Sequence, residues 1–190
     1  ADALVELEAN AASSIEALLA MLDAREPGAR ARAHRIATTA VNLALALQIR
    51  EPDLTHIEQA ALLHDIGKLA ASDASGTTSP GLEEARRQAP APLQGQLLLK
   101  NVRFLGHAAE IVASAQERYD GSGLPRGLRG ETIPLGSRIV AAAIAFDELV
   151  NDPDEPLAPA DAAVRLLQHR GGEFDPRVLD ALCLLYASGG

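Results

Sequence analysis

Five consecutive residues, His64-Asp65-Ile66-Gly67-Lys68, hold the densest chemistry in this chain. Adjacent imidazole and carboxylate groups offer the nitrogen and oxygen donors that iron, manganese or zinc take in hydrolytic sites. Lys68 follows Asp65 by three residues, a spacing that brings the two together on a helical surface. There the ammonium either pairs with the carboxylate or holds a phosphate oxygen. His34, on the preceding predicted helix, is a third candidate ligand across the helix interface. The metal candidates are therefore His34, His64 and Asp65, and Lys68 is the candidate phosphate contact. The plainer alternative is a hydrogen-bonded His-Asp pair with Lys68 as its counter-charge.

Helices must carry these groups. Ala and Leu dominate, aromatic residues make up 3% of the chain and β-branched runs are scarce, a composition that favours an all-α fold. Over residues 2–23 the apolar positions Leu4, Val5, Ala11, Ile15, Leu18, Leu19 and Leu22 recur by threes and fours. Glu8 interrupts that seam, which favours simple packing over a coiled-coil dimer. A second helix is predicted over 28–49, stopped by Arg50-Glu51-Pro52. A third opens on the capping-box spacing of Thr55 and Glu58, runs through Ile66 and breaks at Gly67. Residues 71–81 read as a loop rich in small and breaker residues. Further helices are predicted over 82–88, 93–102, 106–118, 135–150, 159–169 and 176–186. Residues 120–134 (DGSGLPRGLRGETIP) contain four glycines and two prolines, and are predicted to stay out of helix.

The formal charge of −9 argues against broad nucleic-acid binding and against attraction to anionic membranes. Cys183 is the single cysteine, so neither an intrachain disulfide nor a cysteine-based zinc site can form, and a reducing, cytoplasmic location is expected. It falls on the apolar stripe of the last helix and reads as a small hydrophobe. No apolar run reaches membrane-span length, so membrane insertion is not expected. The chain opens at Ala1, and the expectation is a piece of a longer protein: 1–27 an N-terminal helix or linker from an upstream domain, 28–190 the domain itself. Arg118, Arg126, Arg129 and Arg138 are candidates for an anion pocket, with Arg138 the ligand-binding choice; local ion pairs are the plainer reading. His56, His107 and His169 match no ligand pattern.

From Arg30 to Tyr186 the sequence resembles the HD-GYP family, on four anchors: HDIGK, ERYDGSGLPRGLRGETIP, RIVAAAIAFDEL and GGEFDPRVLDAL. The resemblance implies an HD-domain-like helical bundle with one long Gly/Pro-rich loop. It also implies two or three metal ions that hydrolyse cyclic di-GMP, a metal-bound hydroxide attacking phosphorus in line. His34, His64, Asp65 and Lys68 match, as do Glu117, Asp120, Gly121, Gly123, Pro125, Arg138 and Asp147. The family's glutamate four residues before its first histidine falls on Arg30. The histidine of its H-P-x-x-G pattern falls on Ala91, its paired histidines on Ala115 and Gln116, and a later aspartate on Ile144. Leu124 stands for the tyrosine of GYP, removing a hydroxyl. The acidic Asn151-Asp152-Pro153-Asp154-Glu155 stands for a basic substrate segment.

Those departures imply at most one divalent metal (Fe, Mn or Zn) held by His34, His64 and Asp65, or none. The expected function is regulatory or scaffolding, in bacterial signal transduction linked to cyclic di-GMP, with hydrolysis lost or residual. Expected partners are signalling proteins or an upstream sensory or receiver domain, cyclic di-GMP itself, or a second copy of the chain; DNA is not expected. Two alternatives stand: a one-metal phosphohydrolase or phosphodiesterase using His34, His64 and Asp65, and a metal-free interaction module resembling the HDOD domains.

Overall fold

The computed structural model describes residues 2–70 and 91–187, and these form helices and turns with no strand. The predicted loop over 71–81 and the predicted helix over 82–88 lie outside the described residues. In chain order the α-helices are α1 (Asp2–Arg25), α2 (Ala29–Ala46), α3 (Asp53–Leu62), α4 (Gly67–Ala70), α5 (Ala91–Leu99), α6 (Gly106–Ala113), α7 (Leu135–Val150), α8 (Pro159–Leu166) and α9 (Pro176–Tyr186).

Helix α2 is the hub, packed against α1, α3, α7 and α9. Its inward stripe is mostly alanine (Ala29, Ala33, Ala37, Ala40, Ala44) with Ile36 and Leu43, and small side chains let neighbouring backbones approach closely. The lower half of α1 joins this core through Ile15, Leu19 and Leu22, all buried. The α1–α2 turn is fixed by Asp23, whose carboxylate accepts from the backbone N–H groups of Gly28 and Arg30, both at 3.0 Å. That satisfies donors a helix start leaves without partners.

Four of the boundaries that differ from expectation have a local reason. Helix α2 stops at Ala46, before Pro52 can act. Gln48 turns left-handed (φ 62°), and Ile49 N–H donates to the Ala44 carbonyl and Gln48 N–H to that of Leu45, both at 2.9 Å, closing a Schellman motif. Helix α3 begins at Asp53, so Thr55 lies inside its first turn and the Thr55/Glu58 capping box does not form. Glu51 takes the capping role instead, its carboxylate accepting from Thr55 Oγ1 (2.7 Å) and Thr55 N (3.3 Å). Helix α3 also ends at Leu62, which leaves His64 and Asp65 in a turn before α4. Helix α6 gives way after Ala113 to tighter three-residue turns, Ser114 N bonding Ile111 O and Ala115 N bonding Val112 O. The C-terminal helices follow the sequence closely: α7 and α9 carry the expected bounds, and residues 167–169 form a 3₁₀ turn after α8.

The 120–134 segment stays out of α-helix apart from a 3₁₀ turn at Gly130–Thr132. Glu117, buried at its base, holds it in shape, accepting from Arg126 N (2.7 Å) and Leu128 N (3.0 Å). A Cβ added at Gly123 would lie 2.1 Å from the Arg118 nitrogen, so the chain can pass here only without a side chain.

Candidate functional site

The α3–α4 turn opens onto a cleft of about 380 Å³, walled by α2, α6 with the residues after it, and α7. Gly67 makes the turn possible. A Cβ there would meet the Ala91 carbonyl at 2.0 Å, so glycine lets α4 seat against the start of α5. Asp65 and Lys68 are thereby held on one side of the turn, with Lys68 Nζ 3.0 Å from Asp65 Oδ2.

His64 is nearly buried, its side chain 7% exposed. Its Nδ1 lies 2.8 Å from the Ala61 carbonyl and its Nε2 3.3 Å from Asp65 Oδ2. Burial by itself would push the Asp65 carboxyl up; hydrogen bonding and charge from His64 and Lys68 outweigh it and hold the group well below the usual carboxylate range. Asp65 is therefore a fixed anion.

His34 does not join this pair. It is half-exposed and its Nε2 lies 3.1 Å from Glu16 of α1, in a different groove that it shares with Thr38 and Val41. Helical geometry gives the reason. Two residues turn an α-helix by about 200°, so the position of α2 that faces Asp65 is Arg32, one turn before Ile36, and His34 looks away. Arg32 donates to Asp65 Oδ2 and lines the cleft with Ile36. Sequence reading missed it. The spacing from Ile36, a core position of the α2 stripe, was the signal that could have found it.

Lys68 is equally committed, since its ammonium lies 3.1 and 3.0 Å from the two oxygens of Glu26, in the α1–α2 turn, as well as 3.0 Å from Asp65. Arg138 corrects the ligand-binding expectation. It is buried away from the cleft, its guanidinium donating to Asp175 and, at 3.0 Å, to the Ile133 carbonyl. Of the other three arginines proposed for an anion pocket, Arg118 reaches the cleft, 3.5 Å from Glu173. Arg126 donates to Ser114.

Ala115, Gln116 and Ile144 all line the cleft, and Ala91 lies beside it at the start of α5. The first three contribute a methyl, an amide and a branched alkyl group, and with Ile36, Val112 and Phe174 they make one wall largely apolar. In the acidic segment, Asp152 accepts from Asp154 N and Glu155 N, both at 2.9 Å, folding the carboxylates into a local turn.

A divalent metal does not fit this donor set. Among the described residues no three His, Cys, Asp or Glu side chains converge as a metal centre needs. The carboxylate beside His64, that of Asp65, already faces two cations. Like unit charges about 4 Å apart near a protein surface repel by about 4 kcal/mol each.

Comparison with known proteins places the chain. The HD domain model matches residues 16–178. The chain is 39% identical over 184 residues to the cyclic di-GMP phosphodiesterase response regulator RpfG of Xanthomonas campestris pv. campestris, a match covering 93% of this chain and 48% of that protein. It thus spans about half the length of this curated relative. A cyclic GMP-AMP specific phosphodiesterase of Vibrio cholerae superposes with a TM-score of 0.65 at 20% identity, covering 81% of this chain and 43% of that one. The HDG"Y"P protein Bd1817 of Bdellovibrio bacteriovorus gives 0.60 at 23%, covering 83% and 52%. The all-helical bundle is thus shared with these structures, and the chain belongs to the HD domain family, in its HD-GYP branch.

Proposed function

We propose that this chain is a regulatory HD-GYP domain of cyclic-dinucleotide signalling, in which phosphodiester hydrolysis is lost or residual. One observation carries the reading: the cleft is retained while Ala115 and Ile144 present alkyl groups to it and the Asp65 carboxylate is engaged by Arg32 and Lys68. Two-metal catalysis clamps the attacking and leaving oxygens between ions, and the described residues offer no donor set for that. The one-metal alternative needs His34 beside His64, and His34 is held by Glu16 in another groove.

In this reading the domain acts by contact with a signalling protein or a linked sensory or receiver domain in the cytoplasm, with a cyclic dinucleotide as the candidate cleft ligand. No described helix is long and apolar enough to cross a membrane. The test is an assay of the purified chain with cyclic di-GMP and 3'3'-cGAMP, supplied with manganese or iron. The expected result is at most trace turnover above the protein-free control. Robust metal-dependent turnover overturns the reading. Calorimetry with the same two nucleotides then separates a nucleotide sensor, which binds saturably, from a scaffold that works through protein contacts alone.

A further inference from the structure

Asp65 already has its cations. The Arg32 guanidinium from α2 donates to Oδ2, and Lys68 lies 3.0 Å from that same oxygen. Both cations are held from behind by Glu26, at 3.0 Å from Lys68 and 3.6 Å from Arg32. The cluster therefore has two carboxylates and two fixed positive charges, drawn from the α1–α2 turn, α2 and the α3–α4 turn.

A metal at this corner would need the Asp65 oxygen and a ring nitrogen of His64 at roughly 2.0–2.2 Å. Oδ2, the Asp65 oxygen beside His64 Nε2, can meet that demand only by releasing Arg32. His64 Nδ1 is engaged with the Ala61 carbonyl, and Nε2 faces the oxygen that Arg32 and Lys68 share. An incoming ion would also have to sit beside an ammonium and a guanidinium, neither of which can become a ligand while charged.

We infer that Arg32 and Lys68 are the resident cations of this cleft, and that Arg32 in particular keeps a divalent metal from the His64-Asp65 pair. The inference rests on the cleft described under the proposed function, and it deepens that reading by making the site metal-independent through a named residue. The positive charge that a metal would bring to this partly buried carboxylate is already built into two side chains.

The test is metal binding, read apart from turnover. The whole 190-residue chain is incubated with manganese, anaerobic iron(II) or zinc and desalted; its metal content is measured, and calorimetric titrations are run on the wild type and three variants. The wild type is expected to retain substoichiometric metal, with no difference between it and His64→Ala. Arg32→His puts an imidazole where the guanidinium faces Asp65 and His64. It is expected to take one ion per chain at least about tenfold more tightly than the wild type, and the R32H/H64A double variant is expected to lose that gain. A stoichiometric wild-type ion that H64A releases overturns the inference, and so does R32H binding no better than the wild type. If R32H does not fold by circular dichroism, the comparison of wild type with H64A decides alone. The two readings fail separately. Metal-free turnover of a cyclic dinucleotide would sink the proposed function and leave this inference standing, whereas a bound ion without turnover would do the reverse.

Discussion

Asp65 shows how a single carboxylate can be fixed by its neighbours more firmly than by its own solvation. It is partly buried, which opposes ionisation, yet the hydrogen bonds and charges of His64 and Lys68 win and lower its pKa below that of the unfolded chain, where a free aspartate titrates near 3.9. A lowered folded-state pKa means that the ionised group contributes stability above about pH 4, and that this contribution is lost as pH falls below it toward the folded value. Asp65→Asn should therefore lower the unfolding free energy from urea titration at pH 7 by roughly 1.5–3 kcal/mol, the range for hydrogen bonds to a charged group. The wild type should lose more stability than the variant between pH 5 and 3, bringing the two together. Parallel curves would mean that Asp65 is not held ionised by this cluster. At this scale the sequence showed the participants His64, Asp65 and Lys68 but not their commitments, because Glu26 and Arg32 reach them from distant parts of the chain.

Between elements, the buried Arg138–Asp175 pair does structural work that the sequence suggested was ligand binding. Arg138 is on α7, and Asp175 is the N-cap of α9, where it also accepts from Arg177 N at 2.8 Å. One carboxylate thus starts a helix and ties it to its neighbour. Removing one member of a buried pair leaves the other charge uncompensated, at a cost of about 3–5 kcal/mol. Arg138→Met should therefore lower the thermal midpoint markedly, while leaving nucleotide binding per folded molecule unchanged in calorimetry. A variant of normal stability with weakened nucleotide binding would restore Arg138 to the cleft. Helix ends were read less well than helix bodies. The Schellman turn at Gln48 and the Glu51 cap each depend on hydrogen bonds that several sequences can make, whereas the apolar periodicity of α7 and α9 leaves little choice.

For the molecule as a whole, α1 is part of the core, whatever precedes it. Ile15, Leu19 and Leu22 are buried at 6%, 0% and 2% exposure, and Glu26 in the turn that follows anchors Lys68. Burying such side chains contributes about 1.5–3 kcal/mol apiece, and three together approach the net stability of a typical domain, about 5–15 kcal/mol. A fragment of residues 28–190 is accordingly expected to lose its cooperative thermal transition, followed by circular dichroism; a sharp unfolding transition in that fragment would support a domain boundary at residue 27. The sequence by itself determined the all-helical class, the family and the three residues at the α3–α4 turn, because periodicity, breaker residues and local motifs act over a few positions. Only the tertiary structure decided that Arg32 and not His34 meets Asp65, that Lys68 answers to Glu26, and that Arg138 serves α9. Those outcomes depend on the rotational phase of one helix against another, and a two-residue difference in a linear motif becomes opposite faces once the helix turns.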